Sequence, residues 1–138
     1  MPVIETVIFV EPVAKARARV AFFNGHVHGY TPKKTANAEA LIIASIRQQL
    51  GNGAVMFTAG TPLLLEATFY RVKPKSTPKR VTMPTTKPDC DNYGKLLMDA
   101  LNHFVFNDDS QVTTLRLRKR FAAPGQQPRI ELKVREDD

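Results

Sequence analysis

The length of the chain limits its fold more than any local pattern does. A chain of 138 residues falls within the usual size of one domain, so a single hydrophobic core with no second module is expected over residues 1–138. Hydrophobic residues make up 43% of the chain and charged residues 24%, which is ordinary for a globular protein. No apolar run approaches the length that spans a bilayer, so we expect a soluble protein with no membrane partner.

The first residues and the single cysteine predict the compartment. Met1–Val10 has no basic n-region and no small-residue cleavage site, so it is not predicted to be a signal peptide and export is not expected. Cys90 has no partner for an internal disulfide and no CxxC motif for zinc. Both features fit a reducing environment, and we predict a cytoplasmic protein.

Charge is distributed unevenly along the chain. The net charge is +7; residues 1–88 carry twelve Lys/Arg and four Glu (+8), and residues 89–138 carry eight Lys/Arg and nine acids (−1). A basic surplus favours a polyanionic partner, because Lys and Arg gain affinity by displacing counterions from phosphates. Between Asp89 and Asp109 there are five aspartates and one base, Lys95. Like charges this close repel unless a cation binds among them, so a cation site is predicted here.

Hydrophobic periodicity predicts an α/β (α+β) domain with a mixed sheet and two main helices. The helices are predicted at Lys33–Leu50, where Gly51 supplies the C-terminal stop, and at Asp91–Val105. The second helix is predicted to bury an apolar stripe of Tyr93, Leu97, Ala100, Leu101 and Phe104. Asn24-Gly25 predicts a two-residue hairpin turn between Val20–Phe23 and His26–Tyr30. Further strands are predicted at Val3–Val10, Lys15–Val20, Leu63–Val72, Gln111–Phe121 and Ile130–Arg135, the last two as a closing pair. The order of the strands does not follow from these patterns.

Several basic segments are candidates for contact with nucleic acid. Lys73–Pro88 contains four prolines, five Lys/Arg and no acid, so it is predicted to be an exposed, mobile, basic loop. Bases alternate at residues 15–19 and again at 116–120, which places them on one face of an extended strand. Either row taken alone is equally well explained as a solvated strand face, but the recurrence favours nucleic acid. The predicted DNA-binding residues are Lys15, Arg17, Arg19, Lys33, Lys34, Lys79, Arg80, Arg116 and Arg118.

The aspartates form a pattern that suits metal-assisted chemistry. Asp91, Lys95 and Asp99 follow at i, i+4 and i+8 and therefore share one side of the second helix, with Asp89 just before its first turn. Magnesium binds a few carboxylate oxygens and keeps water on its other positions. In phosphodiester hydrolysis such a metal polarises the phosphoryl oxygen and activates a bound water. Lys95 would hold the phosphate or stabilise its developing charge.

Structural explanations exist for each aspartate taken singly. Asp89 suits an N-cap, Asp91 suits the positive end of a helix, and Asp108-Asp109 are ordinary turn residues. The segment from Asp89 begins like an EF-hand loop, but its twelfth position is Ala100 where a bidentate Glu is required. His26 and His28 share a strand face, yet no Cys or third His joins them for zinc, so they are assigned to the hairpin surface.

The residues of this region resemble a known family. Asp89-Cys-Asp-Asn-Tyr-Gly-Lys95-Leu-Leu-Met-Asp99-Ala-Leu, followed by Asp108-Asp109-Ser-Gln-Val112, resembles the core pattern D-x-D-N-x-x-K, D-A-L and D-D-x-Q-V of the RusA Holliday-junction resolvases. The likeness extends from Val10 to Phe121, and its upstream part resembles the phage and prophage branch. Ala18 departs from the proline common in that branch, which affects only the local strand geometry.

The resemblance implies roles for particular residues. It makes Asp89, Asp91 and Asp109 the metal-binding carboxylates and Lys95 the catalytic base-type residue, with Asp99 and Asp108 as supporting members. It also implies a Mg²⁺ cofactor, for which Mn²⁺ substitutes.

The resemblance further implies a homodimeric crossover junction endodeoxyribonuclease. Such an enzyme resolves four-way DNA junctions by paired symmetric nicks during DNA recombination and repair. Two other classes remain open from the sequence: a nuclease of the same fold that acts on other branched DNA, and a non-catalytic junction-binding protein.

Overall fold

The described part of the chain combines a four-stranded mixed sheet, a separate two-stranded sheet and two helices, so the predicted α+β class is confirmed. The computed structural model describes residues 3–15, 19–23, 26–30, 33–51 and 57–138, and of residues 19–23 and 26–30 it describes the backbone alone. The elements are β1 (Val3–Ile8), β2 (Arg19–Phe23), β3 (His26–Tyr30), α1 (Lys33–Leu50), β4 (Leu63–Arg71), α2 (Cys90–Leu101), β5 (Val112–Phe121) and β6 (Arg129–Glu136), with a 3₁₀ turn at Asp109–Gln111.

The main sheet has the strand order β1-β6-β4-β5. β6 pairs antiparallel with both β1 and β4, whereas β4 and β5 are parallel. A parallel pair needs a crossover connection, and α2 supplies it between the end of β4 and the start of β5. The last two strands of the chain exist where they were predicted, but the expectation that they pair was wrong, because β4 lies between them.

A single apolar layer joins both helices to one face of the main sheet. Alternate residues of β1, β4 and β6, such as Ile4, Leu65 and Val134, are buried against the helices. Tyr93 of α2 stacks on Phe69 of β4 with ring centroids 5.2 Å apart. The apolar stripe predicted on the second helix is present, with Tyr93, Leu97, Ala100 and Leu101 all buried. This layer fixes which side of α2 faces away from the core.

The first helix matches its prediction at both ends. α1 spans Lys33–Leu50, and Gly51 follows with φ 84°. The Gly51 N–H donates to the Arg47 carbonyl at 2.8 Å, which satisfies one of the last carbonyls of the helix. A glycine here is required by the positive φ, which L residues with a side chain rarely adopt.

Three predicted boundaries differ from the structure by more than one residue. β1 ends at Ile8 rather than Val10, and the second strand begins at Arg19, so Lys15 is not in a strand. α2 ends at Leu101, four residues earlier than predicted, because His103 has φ 61° and the N–H groups of Phe104 and Val105 both turn back to the Leu101 carbonyl. The predicted turn at residues 24–25 lies outside the described residues, although the two strands that flank it do pair antiparallel.

The basic segment Lys73–Pro88 contains no helix or strand, and most of its side chains are exposed. Its mobility stays a prediction. None of the helices in the described part of the chain is long and apolar enough to cross a membrane.

The apolar layer predicts how two leucine substitutions differ. Leu97 is 0% exposed in α2, so Leu97→Ala should lower the free energy of unfolding by about 2–5 kcal/mol through lost transfer energy and a residual cavity. Leu41 is 57% exposed on α1, and Leu41→Ala should change the free energy of unfolding by about 0.5 kcal/mol or less. Urea unfolding of the two variants measures the difference; similar values for both would contradict this packing.

Candidate active site

A cavity of about 210 Å³ lies between α2 and β5 and collects most of the predicted catalytic residues. Asp91, Lys95 and Asp99 line it from α2, and Asp109 lines it from the turn that leads into β5. Its apolar walls are Met98 of α2 and Leu115 and Leu117 of β5. The predicted grouping of carboxylate, amine and carboxylate on one side of the helix is therefore what the structure shows.

Helix packing explains why these side chains point into the cavity. The stripe on the opposite side of α2 is buried in the core, so the side with Asp91, Lys95 and Asp99 faces away from the core. Gly94 lies on this side, and a Cβ at this position would collide with the end of the Leu117 side chain. The absence of a side chain thus lets α2 approach β5 closely beside the cavity.

Asp89 occupies the N-cap position of α2 but does not act as a cap. Its backbone is extended, with φ −73° and ψ 154°, and its carboxylate makes no capping hydrogen bond. Asp89 also does not line the cavity. At about 1.5 Å per residue, Asp89 lies roughly 15 Å along the helix axis from Asp99, which puts these two carboxylates at opposite ends of the site.

Two cations hold the backbone immediately before Asp89. The Lys119 Nζ atom donates to the carbonyls of Thr86 and Pro88 at 2.9 and 3.0 Å. The Arg71 guanidinium donates to the Lys87 carbonyl at 2.9 Å and to the Thr86 hydroxyl at 2.7 Å. Since Arg71 ends β4 and Lys119 is near the end of β5, the parallel strand pair fixes where α2 begins.

The neighbouring residues Asp108 and Asp109 have different roles. The Asp108 carboxylate accepts the Ser110 N–H at 3.0 Å, and the Gln111 side chain accepts the Asp108 N–H at 3.0 Å, which completes a capping box. Asp108 is therefore a structural turn residue and does not line the cavity. The Asp109 N–H donates to Asn102 Oδ1 at 3.1 Å, which leaves the Asp109 carboxylate directed to the cavity.

The pKa values of Asp108 and Asp109 are shifted in opposite directions. Burial is the main cause that raises the pKa of Asp109 above its ordinary value. The hydrogen bond and the charge of Asp108 raise this pKa further. The charge of Asp99 acts in the same direction, while Lys95 opposes it. The pKa of Asp108 is lowered, chiefly by the hydrogen bond from the Ser110 backbone. Asp109 is thus a carboxylate whose ionised form would gain from a bound cation.

The two lysines near the cavity differ in their partners. Lys95 is exposed and forms no salt bridge with any of the described residues, so its ammonium is free to meet a phosphate. Lys15 binds Glu39 at 2.7 Å and Asp99 at 3.0 Å. Burial alone would lower the pKa of Lys15, but the hydrogen bonds and charges of Glu39 and Asp99 outweigh it and raise that pKa.

The cavity offers few side chains that could ligate a metal ion. Within the described ranges, no group of three or more Asp, Glu, His or Cys side chains converges closely enough to hold an ion. Asp91 and Asp109 remain as two carboxylates on one cavity. Magnesium usually takes one or two protein carboxylates and completes its shell with waters and substrate phosphates. The residues present therefore fit a cation bound together with DNA better than a closed all-protein cage.

The predicted DNA-binding residues lie on different parts of the surface. Lys33 and Lys34 are exposed in the first turn of α1, where cations do not favour the helix and phosphate binding would account for them. Lys79 and Arg80 are exposed in the basic loop. Arg17 lies outside the described residues, and the side chain of Arg19 is not described.

Arg116 and Arg118 face away from the cavity. Leu115 and Leu117 line it, and side chains alternate along a strand, so the two arginines lie on the other face of the sheet. Arg116 is bound to Glu66 at 3.2 Å. These two residues therefore lie on the opposite face of the sheet from the cavity.

Five residues that support the site were not predicted from the sequence, namely Arg71, Asn102, Leu115, Leu117 and Lys119. For Lys119 a signal was present, because it falls in phase with Leu115 and Leu117 on the helix-facing side of β5. A cation in the apolar phase of a strand predicts a specific internal partner, which is here the chain before Asp89.

The two adjacent aspartates give opposite predictions for stability. An acid whose pKa is raised by folding contributes stability only while protonated, and this contribution is lost as the pH rises through the folded pKa. Asp109→Asn should therefore raise the melting temperature of the metal-free protein at pH 7 and have a smaller effect at pH 4. Asp108→Ala should lower the melting temperature at pH 7 because the capping box is lost.

Differential scanning calorimetry in EDTA measures both effects. The wild-type protein at each pH is the reference. If Asp109→Asn lowered the melting temperature at pH 7 as Asp108→Ala does, Asp109 would be a structural turn residue as well.

The chain is similar to a known protein family and to a protein of Bacillus subtilis. The family model described as endodeoxyribonuclease RusA matches residues 10–135, so the resemblance noted from Val10 to Phe121 is confirmed and extends through β6. The uncharacterized protein YqaN of Bacillus subtilis (strain 168) is 34% identical over 146 residues, with 99% of this chain and 98% of YqaN covered. The family match spans the whole β4–α2–β5 crossover rather than one motif.

Proposed function

Since the chain belongs to the RusA endodeoxyribonuclease family, we propose that it is a Mg²⁺-dependent endonuclease that resolves four-way DNA junctions by paired symmetric nicks. One observation carries this proposal: Asp91, Lys95 and Asp109 come from two separate segments of the crossover and line one cavity. Two carboxylates with an unpaired ammonium are what cleavage of a phosphodiester needs, because a cation and a phosphate must be held side by side.

Each residue of the cavity has a role in this proposal. Asp91 and Asp109 would hold the Mg²⁺, for which Mn²⁺ would substitute. Asp89, which lies outside the cavity at the start of α2, would be the third carboxylate that the family resemblance implies. When bound, this ion supplies an activated water and a Lewis acid for the phosphoryl oxygen. Asp108 supports the site by holding the turn in which Asp109 lies.

Lys95 is the residue that meets the substrate phosphate. It lies one turn of α2 beyond Asp91, and no acid among the described residues pairs with it. Its ammonium would bind the scissile phosphate and stabilise the negative charge that develops during cleavage. Attack of water on the phosphorus, with cleavage of the bond between phosphorus and the 3′ oxygen, would leave a 5′-phosphate and a 3′-hydroxyl.

The substrate proposal extends to the assembly. A homodimer presents two equal sites to a junction that itself has two-fold symmetry, so both strands of like polarity are cut. Lys33, Lys34, Lys79 and Arg80 are the exposed cations that would contact phosphates and fix the orientation of the DNA. We place the protein in the cytoplasm, in the recombination and repair of DNA, as a prophage-type member of the family.

The test is an incision assay on a labelled synthetic four-way junction. Wild type and Asp91→Asn are compared with Mg²⁺ and with EDTA, and flap and fork substrates run in parallel. The wild type should make symmetric Mg²⁺-dependent nicks in the junction. Asp91→Asn should cleave at least about a hundredfold more slowly, since a lost charge-stabilising group typically costs this much, while it binds the junction as tightly or more tightly.

Three results would count against the proposal. Equal cleavage by Asp91→Asn would remove this residue from the site. Preferred cleavage of flaps or forks would indicate a nuclease for other branched DNA. Tight junction binding without any cleavage would indicate a non-catalytic junction-binding protein, the class that the missing three-carboxylate cluster in the described residues would fit.

A further inference from the structure

Lys15 connects three parts of the protein that are distant in sequence. Its backbone N–H donates to the Asn92 carbonyl of α2 at 3.0 Å. Its side chain binds Asp99 of α2 at 3.0 Å and Glu39 of α1 at 2.7 Å. All three contacts hold the chain segment that precedes β2.

The contacts fix a direction as well as a position. Asn92 and Asp99 are seven residues apart, which is about 10 Å along the axis of α2. Since one residue reaches both, the Lys15 side chain must lie along the exposed side of this helix. That side carries Asp91, Lys95 and Asp99, so Lys15 lies beside the cavity.

The β2–β3 hairpin follows this segment in the chain. It forms a two-stranded sheet that does not join the four-stranded sheet. The hairpin begins at Arg19, four residues after Lys15, and β3 ends at Tyr30, three residues before α1 begins. Lys15 and the first turn of α1 are therefore the described positions that flank the hairpin along the chain, before β2 and after β3.

We propose that Lys15 is a positioning residue and not a phosphate ligand: it holds the chain ahead of the β2–β3 hairpin against the exposed side of α2, so that hairpin and cavity meet the same stretch of DNA. This inference rests on the proposed function. It replaces the expectation that Lys15 belongs to a row of phosphate contacts with Arg17 and Arg19.

The charges around Lys15 support this role. Its ammonium already faces two carboxylates, and a phosphate would have to displace them. Displacement would also leave Asp99 without its cation, next to Asp109 on the same cavity. All three side chains are partly buried, with exposures of 21% for Lys15, 23% for Glu39 and 28% for Asp99, so the pairs are less screened than exposed surface pairs.

The first experiment separates positioning from phosphate binding. Lys15→Met should slow single-turnover cleavage at saturating junction by about tenfold to a hundredfold, because misplaced DNA loses the reactive geometry. The dependence of log Kd on log salt concentration should keep its slope. Lys34→Met is the comparison variant: Lys34 is exposed and unpaired among the described residues and is one of the proposed phosphate contacts, so its loss should lower the slope by about one.

The acidic partners provide the second arm. The double variant Glu39→Gln with Asp99→Asn keeps Lys15 but removes both ion pairs, and it should show the same loss of rate as Lys15→Met. Adding Lys15→Met to that double variant should cause little further loss, because contacts within one network are not additive. Lys15→Arg, which keeps both ion pairs, should restore most of the rate.

A third measurement does not need cleavage at all. In a Cys90→Ser background, spin labels on His28→Cys and Lys133→Cys report the distance between the hairpin and the main sheet. The distance distribution should broaden with Lys15→Met and narrow again with Lys15→Arg. This arm keeps the inference testable even if the wild type cuts no junction, which would instead overturn the proposed function.

The outcomes that overturn the inference are distinct. A reduced salt slope with an unchanged saturated rate in Lys15→Met would make Lys15 a phosphate ligand. An unchanged distance distribution in folded Lys15→Met would mean that other contacts place the hairpin. If Lys15→Met does not fold by circular dichroism, the distance distribution of the double acidic variant decides, and a distribution as narrow as that of the wild type would contradict the inference.

Discussion

The parallel pairing of β4 with β5 is the constraint on which the site depends. Parallel neighbours cannot be joined by a tight turn, so the chain must leave the sheet, cross it in α2 and return. The five aspartates of residues 89–109 all lie on this crossover. Arg71 and Lys119, near the ends of the two strands, fix its start, and the capping box of Asp108 fixes its return to β5.

The core and the cavity share the same helix and divide its surface. Burial of Tyr93, Leu97 and Leu101 on one side leaves the other side for charged residues, so the energy that folds α2 also orients the site. The cavity itself gives little to stability. Asp109 is partly buried among like charges, which lowers the stability of the folded protein when Asp109 is ionised. A folded protein tolerates such a loss where a bound cation or substrate relieves it.

Much of the fold was predictable because its signals are local. The bounds of α1 followed from helical spacing and from Gly51, and the apolar stripe of α2 followed from periodicity. The grouping of Asp91, Lys95 and Asp99 followed from the 3.6-residue period of the helix. The strand order and the crossover were not predictable, because the pairing of β4 with β5 is a contact between distant segments.

Side-chain roles were harder to predict than positions. Adjacent aspartates at 108 and 109 look alike in sequence, and only the turn geometry makes the first a cap and the second a cavity residue. Lys15 matched a basic row in alternation, but its partners Glu39 and Asp99 come from two distant helices. The end of α2 at Leu101 depended on the positive φ of His103, for which composition gives no signal.

The most direct test of the account is the position of a bound cation. Crystals of the protein with Mn²⁺, alone and with junction DNA, would reveal the ion by its anomalous scattering. The account predicts one peak in the cavity between Asp91 and Asp109, stronger with DNA and absent in Asp91→Asn. No peak in the presence of DNA, or a peak bound only outside this cavity, would contradict it.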